Sequence, residues 1–219
     1  MTLQVVAVSR SRSLYVKTLH TLLGLQNLCW HVKLKIGLNF VDDKNIEKMA
    51  LLKNLLKTGD RVVWFEYGVS MDVKQLQTLI TEFTQYDGLV VPVAVEGIDW
   101  EMFRKKTLEG SVEPSYQRGL TFDTKVQSKP FNEEQDLYPV VSTDPSIWAL
   151  DTHACIKKLK DKKSNGLVLP PNLTKFFDQL LAKKMRLMAA AGVQTFSHFT
   201  HECVGNLMNI PGLRVTKDV

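Results

Sequence analysis

The sequence predicts an α/β fold: a mostly parallel sheet with helices on both faces, followed by a mixed, loop-rich C-terminal half. Three observations lead there. Residues 1–95 alternate short, β-branched apolar runs with longer segments of helical period. Acidic residues and glycine stand where the helices would start and stop. Beyond residue 95 the alternation gives way to polar, proline-containing sequence.

LQVVAVS (3–9) reads as a buried strand, and SRSLYVKTLHTLLGLQNL as a helix carried by Leu14, Val16, Leu19, Leu22 and Leu23. CWHVKLKIGLNF alternates and predicts a second strand. DDKNIEKMALLKNLLKTGD predicts a helix with acids at its start and Gly59 just past its end. RVVWFEY is a third strand, a helix from Asp72 to about Phe83 follows, and YDGLVVPVAV is a fourth strand behind a D-G turn. In the second half, EGIDWEMFRKKTLEG holds a short helix, and the polar stretch from 111 to 139 is a loop over a site or partner. PVVSTDPSIWALDTHACIKKL reads as strand, turn, strand and short helix. PPNLTKFFDQLLAKKMRLMAAAG reads as one long helix from its prolines to Gly192, and VQTFSHFTHECVGNLMNIPGL as a strand and another helical turn or two.

The chain has 219 residues and a net charge of +5. No apolar run approaches the roughly 20 residues that span a bilayer. The N-terminus lacks a basic stretch followed by a long apolar one, so no signal peptide is expected. Cys29, Cys155 and Cys203 are far apart and odd in number, which argues against a disulfide framework and a cysteine zinc site. A cytoplasmic protein is expected. The basic run KKLKDKKSNG (157–166) reads as a solvated helix end, and no nucleic-acid partner is expected, because the basic residues are not interleaved with aromatics.

In an open α/β sheet ligands bind beyond the carboxyl ends of the strands. Ser9 to Arg12, Asn39 to Asp43 and Glu66 to Asp72 all fall at such ends. The glycine fingerprint of dinucleotide sites and the P-loop are absent, as are the G-x-S-x-G elbow and the H-E-x-x-H zinc helix. What remains is carboxylates and histidines. Glu66 with His198 or His201 would suit Mn²⁺ or Mg²⁺, with substrate phosphates completing the shell. Arg10 and Arg12 suit phosphate or base contacts. Singly, each has a structural reading: Asp72 as an N-cap, His198 as a packed histidine, the arginines as solvated surface.

The order of these residues resembles glycosyltransferases of the GT-A fold, which use nucleotide-diphospho sugars. The resemblance implies a Rossmann-like front half that binds the donor. Glu66-Tyr67-Gly68 falls where a metal-binding D-x-D is expected, with glycine in place of the second acid. Phe177-Asp178 falls where an E-D pair supplies the base, so Asp178 is the candidate catalytic base, or else an exposed first-turn acid. VQTFSHF resembles the strand ending at a metal-binding histidine, pointing to His198 and then His201; Asp72 is a further candidate ligand. FEYGVSMD, VEGIDWEMF, EPSYQRGLTFD and FTHECVGNLMN resemble glycosyltransferases of large algal DNA viruses and phages, including chlorella-virus enzymes for capsid glycosylation.

The resemblance implies a metal-assisted transferase moving a sugar, UDP-linked in the first instance, to a glycan or glycoprotein in a host cytoplasm. The donor nucleotide would lie on Ser9, Arg10, Arg12, Asn39, Asp42, Glu66, Tyr67 and Gly68. Asp99 and Glu101, flanking Trp100 as a sugar platform, and Asp151 are alternative acids. One domain over 1–219 is expected, with a nucleotide-binding half (1–95) and an acceptor and metal half (96–219), whole or as a piece of a longer chain. A nucleotidyltransferase and a binding module that has lost catalysis are the competing readings.

Overall fold

The computed structural model describes residues 1–83, 85–95, 97–160 and 166–198. In chain order the elements are β1 (Thr2–Ser9), α1 (Val16–His31), β2 (Lys35–Asp42), α2 (Asn45–Thr58), β3 (Arg61–Phe65), β4 (Val69–Met71), a 3₁₀ turn (Val73–Gln75) and α3 (Gln77–Ile80). Then come β5 (Gly88–Val91), α4 (Trp100–Leu108), a second 3₁₀ turn (Ser115–Gln117), β6 (Thr124–Val126), β7 (Leu137–Thr143) and β8 (Ile147–Asp151). α5 (Thr152–Leu159), α6 (Leu173–Ala182), β9 (Leu187–Ala190) and β10 (Thr195–Ser197) close the described chain.

The expected α/β architecture is present. Eight strands form one sheet in the order β2-β1-β3-β8-β5-β9-β7-β6. β1 is parallel to β2 and β3, and β5 to β9, while β8 runs antiparallel between β3 and β5. The central strands β3, β5 and β9 are buried at every position, as strands covered on both faces must be. Alternate side chains feed two cores. Val5, Ala7, Val63, Phe65 and Ile147 meet α1 on one face. Val6, Val62, Trp64, Trp148 and Leu150 meet α2, α5 and α6 on the other. Trp64 and Trp148 are cross-strand partners, and their rings stack 5.3 Å apart at 6°. Phe177 of α6 meets Trp148 edge-on at 5.4 Å.

β1 connects to β2 on one side and, after β2, the chain returns past β1 to β3 on the other. That reversal opens a crevice between the carboxyl ends of β1 and β3, the place where such sheets bind ligands.

Several local expectations are corrected. The stretch after Glu66 is not strand followed directly by helix. Val69–Met71 is fully buried and pairs antiparallel with β10. The helix expected from Asp72 to Phe83 shrinks to a 3₁₀ turn and one turn of α3. Arg61, buried beneath it, takes the carbonyls of Leu79 and Thr81 at 3.1 and 2.7 Å, ending the helix there. The long helix to Gly192 stops at Ala182: Lys184 turns at φ 55°, and Leu187–Ala190 becomes a strand buried between β5 and β7. Cys29 to His31 belong to α1 rather than to β2. α1 turns Thr18, Thr21, Leu22, Leu25 and Cys29 inward, leaving Val16, Leu19 and Leu23 exposed. The two threonine hydroxyls donate to the β4 carbonyls of Val69 and Met71, at 2.8 and 3.1 Å.

Residues 1–95 and 121–197 form one compact unit. A boundary at residue 95 therefore does not divide the sheet, because β6 to β9 return to it. A smaller unit holds residues 97–120 with His198. Within it, α4 is capped by Asp99 and faces an apolar hollow of about 440 Å³ lined by Ile98, Trp100, Phe103, Ser115, Gly119 and Leu120. Among the described residues no helix is long and apolar enough to cross a membrane.

Phe177→Ala would open a cavity against Trp148. It is expected to lower stability by about 3–5 kcal/mol, read as a shift in the urea-unfolding midpoint with an unchanged slope.

Candidate functional site

The crevice at the carboxyl edge is a cleft of about 350 Å³. Arg10, Asp43, Lys48 and Glu66 line one part of it, and Asp144, Ser146, Asn172 and Thr174 another. Arg10, Asp43 and Glu66 come from strand ends. Arg10 follows β1 and opens a tight turn in which Ser11 and Arg12 adopt φ 51° and 59°. Reciprocal backbone bonds between Arg10 and Ser13, at 3.2 and 3.0 Å, close that turn. Such positive φ pairs are the geometry of a type I′ hairpin turn, unusual without glycine or asparagine. Asp43 follows β2, and its N–H donates to the Ser9 carbonyl at 2.9 Å. Glu66 follows β3, and its N–H donates to Ser146 O at 2.8 Å.

Lys48 joins them. It stands on the inward stripe of α2 with Met49, Leu52, Leu55 and Leu56, and its side chain is only 8% exposed. Its ammonium lies 2.6 Å from Asp43 Oδ1 and 2.6 Å from Glu66 Oε2. The other Asp43 oxygen accepts from Arg10 Nε and Nη2 at 3.0 and 2.8 Å. The other Glu66 oxygen accepts from Trp64 Nε1 at 2.9 Å. Arg10 also lies over the Tyr67 ring, 4.5 Å from its centroid, and Tyr67 meets Tyr15 at 5.3 Å.

The electrostatics follow from burial and pairing. Burial works against the Asp43 carboxylate, but hydrogen bonds and charge from Lys48 and Arg10 outweigh it and hold Asp43 below the usual carboxylate range. Burial pushes Glu66 up, and Lys48 and Trp64 oppose that only in part. Lys48 stays protonated: burial lowers it, and the two carboxylates more than restore it.

The facing part is held by Asp123. Its carboxylate accepts from the N–H groups of Val93 and Ser146, both at 3.0 Å, and from Thr124 Oγ1 at 2.9 Å. This fixes the β7–β8 turn, where Asp144 accepts from Thr174 Oγ1 at 2.9 Å. Asn172 caps α6 through Lys175 N at 2.9 Å.

The sequence-predicted residues divide accordingly. Arg10 and Glu66 line the cleft, and Tyr67 stacks beneath Arg10. Ser9 ends β1 and donates to Val41 O at 3.2 Å; Asp42 ends β2 and pairs with Lys44 at 3.1 Å. Arg12 is exposed in the turn. Asn39 is not in a loop: β2 runs on to Asp42, and the Asn39 side chain donates to Gln4 Oε1 at 3.0 Å within the sheet. Gly68 adopts φ 78°. Asp72 caps the first 3₁₀ turn, accepting from Lys74 N at 3.0 Å. Asp99 accepts from Met102 N at 2.8 Å at the start of α4, and Trp100 beside it is 67% exposed. Asp151 caps α5 beside Arg61, at the opposite sheet edge from Glu66. Asp178 is exposed on α6, whose first residues reach the cleft; it does not open that helix. His198 follows β10 and is half-buried, whereas His201 lies outside the described residues.

Sequence reading missed Lys48, Trp64 and Asp144, and placed Asp43 only within a loop. Lys48 had a signal: a lysine in register with Leu52, Leu55 and Leu56 on the buried stripe of a helix.

A divalent cation on Glu66 was the expected cofactor. At Glu66, Asp43 and Asp72 the donors present do not fit it, and His201, also expected as a ligand, lies outside the described residues. Both Glu66 oxygens are taken by Lys48 and Trp64, both Asp43 oxygens by Lys48 and Arg10, and Asp72 is spent on a cap.

No family model matches the sequence, and no curated protein does. Among solved structures, the chain is similar to a Drosophila β-1,4-galactosyltransferase 7 mutant complexed with manganese, UDP-Gal and xylobiose. Identity is 9%, coverage 92% of this chain and 72% of that one, and the TM-score 0.46. It is also similar to a glycosyltransferase involved in glycosylating the major capsid of PBCV-1 (7% identity, 87% and 82% coverage, TM-score 0.41). A third is the inositol-1-phosphate CTP transferase of T. maritima (8% identity, 89% and 69% coverage, TM-score 0.41). At TM-scores below 0.5 these likenesses carry no weight, and the reading of the site rests on its own side chains.

Asp43 should stabilise the fold only while ionised, since its carboxyl is held low. Its contribution is full above about pH 5 and fades as pH falls through the lowered native value. Asp43→Asn is therefore expected to lose about 1–3 kcal/mol at pH 7. The gap to wild type should narrow in urea melts below about pH 4.

Proposed function

We propose that the carboxyl-edge cleft holds the nucleotide of a nucleoside-diphosphate sugar, in the first instance a UDP-sugar, and that the protein is a glycosyltransferase acting on a glycan or glycoprotein acceptor. One observation carries this reading: Arg10, Asp43, Lys48 and Glu66 converge, with Arg10 laid over Tyr67, at the point where the strand order reverses.

The chemistry fits those groups. An acceptor hydroxyl attacks the anomeric carbon, the bond from that carbon to the diphosphate oxygen breaks, and the nucleoside diphosphate leaves with the bonding electrons. A base takes the hydroxyl proton. Lys48 and Arg10 face the developing charge, and the Arg10 guanidinium, backed by Tyr67, stands at the open side of the cleft. Asp144, Asp178 and Asp99 are the candidates for the base, and Asp144 is the one lining the cleft. A capsid glycan as acceptor follows from the resemblance of phrases such as FEYGVSMD and EPSYQRGLTFD.

Isothermal calorimetry with UDP, GDP and CMP tests the reading. UDP is expected to bind at micromolar Kd, with Arg10→Ala about tenfold weaker. No binding by any nucleotide, in EDTA or in Mn²⁺, would overturn it. For the base, Asp144→Asn is expected to lower kcat for sugar transfer by about 100-fold or more with little change in donor Kd. If Asp178→Asn does this instead, the base lies on α6.

A further inference from the structure

Resting on that reading of the cleft as the seat of a nucleoside diphosphate, we propose that Lys48 is its resident cation. Its ammonium fills the position between Asp43 and Glu66 that a divalent metal would take, and the diphosphate binds without one.

The geometry is that of an occupied cation site. Two carboxylates from different strand ends converge on one positive atom, each at 2.6 Å, in a place where the side chain is 8% exposed. The cation reaches that point on a stem from the buried face of α2, so it is tethered rather than recruited. Every oxygen of the two carboxylates already accepts from a protein donor. A metal ion entering here would have to expel Lys48 from two charge-assisted bonds and leave an ammonium unpaired in a buried place. Charge points the same way. Arg10 and Lys48 balance Asp43 and Glu66, so the pair offers no net negative charge to a dication.

The phosphates still find donors. An ammonium has three N–H groups, and two of those on Lys48 are engaged, leaving one for a phosphate oxygen. α2 starts beside it without a side-chain cap, and Asn45, its first residue, lines the cleft. The free N–H groups of that first turn favour an anion. Arg10 lies on the open side.

Two measurements on the wild-type protein carry the test, and Asp43→Asn locates any Mn²⁺ that is taken up. The electron paramagnetic resonance signal of free Mn²⁺ is expected to stay unchanged when protein is added. By calorimetry, UDP is expected to bind with a Kd that differs by less than about twofold between EDTA and Mn²⁺. Lys48→Ala, where it folds, should convert the site: Mn²⁺ is now taken up between Asp43 and Glu66. UDP binding in EDTA should weaken by about tenfold or more and recover in part with Mn²⁺. Mn²⁺ uptake by the wild type that is lost in Asp43→Asn would overturn the assignment, as would UDP binding that EDTA abolishes. Failure of every nucleotide to bind sinks the donor reading instead. The Mn²⁺ titration of wild type then decides on Lys48 by itself: no uptake keeps it as the resident cation, and uptake at Asp43 removes it.

Discussion

One buried ammonium organises the carboxyl edge of this sheet. A lysine at an inward position of a helix cannot stay charged in an apolar setting without partners. Lys48 obtains two, and through them it sets the rest. Asp43, held on one side by Lys48, uses its other oxygen to fix Arg10, and Arg10 in turn covers Tyr67. Glu66, held by Lys48, uses its other oxygen to accept from Trp64, whose ring stacks on Trp148. The polar cluster is thereby continuous with the aromatic core. Its members are oriented by packing rather than by solvent, which is the condition for a preorganised site.

Much of the fold was legible because the first half obeys simple periodicities. The apolar runs at 3–9 and 61–65 and the stripe of Leu52, Leu55 and Leu56 could hardly be read otherwise. The errors share a cause. Leu187–Ala190 is built of good helix formers, yet it is a strand, because the slot between β5 and β7 buries it on every side. Val69–Met71 pairs with a strand more than 120 residues later, by the register of Thr195 with Met71, which no local pattern could reveal. The insertion of β8 between β3 and β5 is equally non-local.

Part of the cleft was legible in the same way. The rule that ligands gather at carboxyl strand ends picked out Arg10 and Glu66, which line the cleft, and Asp42, which pairs with Lys44 instead. It misplaced Asn39, because β2 continues further than its alternation suggested. It did not find Lys48, because a lysine in a helical repeat is ordinarily read as a surface residue whose stem lies along the apolar face. The distinction lies in the third dimension: only when β2 and β3 lie on either side of β1 do Asp43 and Glu66 stand close enough for one ammonium to bridge.

A tethered cation has consequences that a bound ion would not. Its charge and that of Arg10 are matched by Asp43 and Glu66, and Asp144 also lines the cleft, so the lining carries no excess of positive charge before ligand arrives. Affinity for an anion must then come from directed contacts, namely the remaining ammonium N–H, the α2 terminus and the Arg10 guanidinium, rather than from a large positive field. Field-driven binding is screened over a Debye length of about 8 Å at physiological ionic strength, whereas short hydrogen bonds inside a cleft are screened far less. A site of this kind is selective by shape and hydrogen-bond placement. It also puts a premium on the strained turn at Ser11 and Arg12, because that turn sets where the Arg10 guanidinium stands.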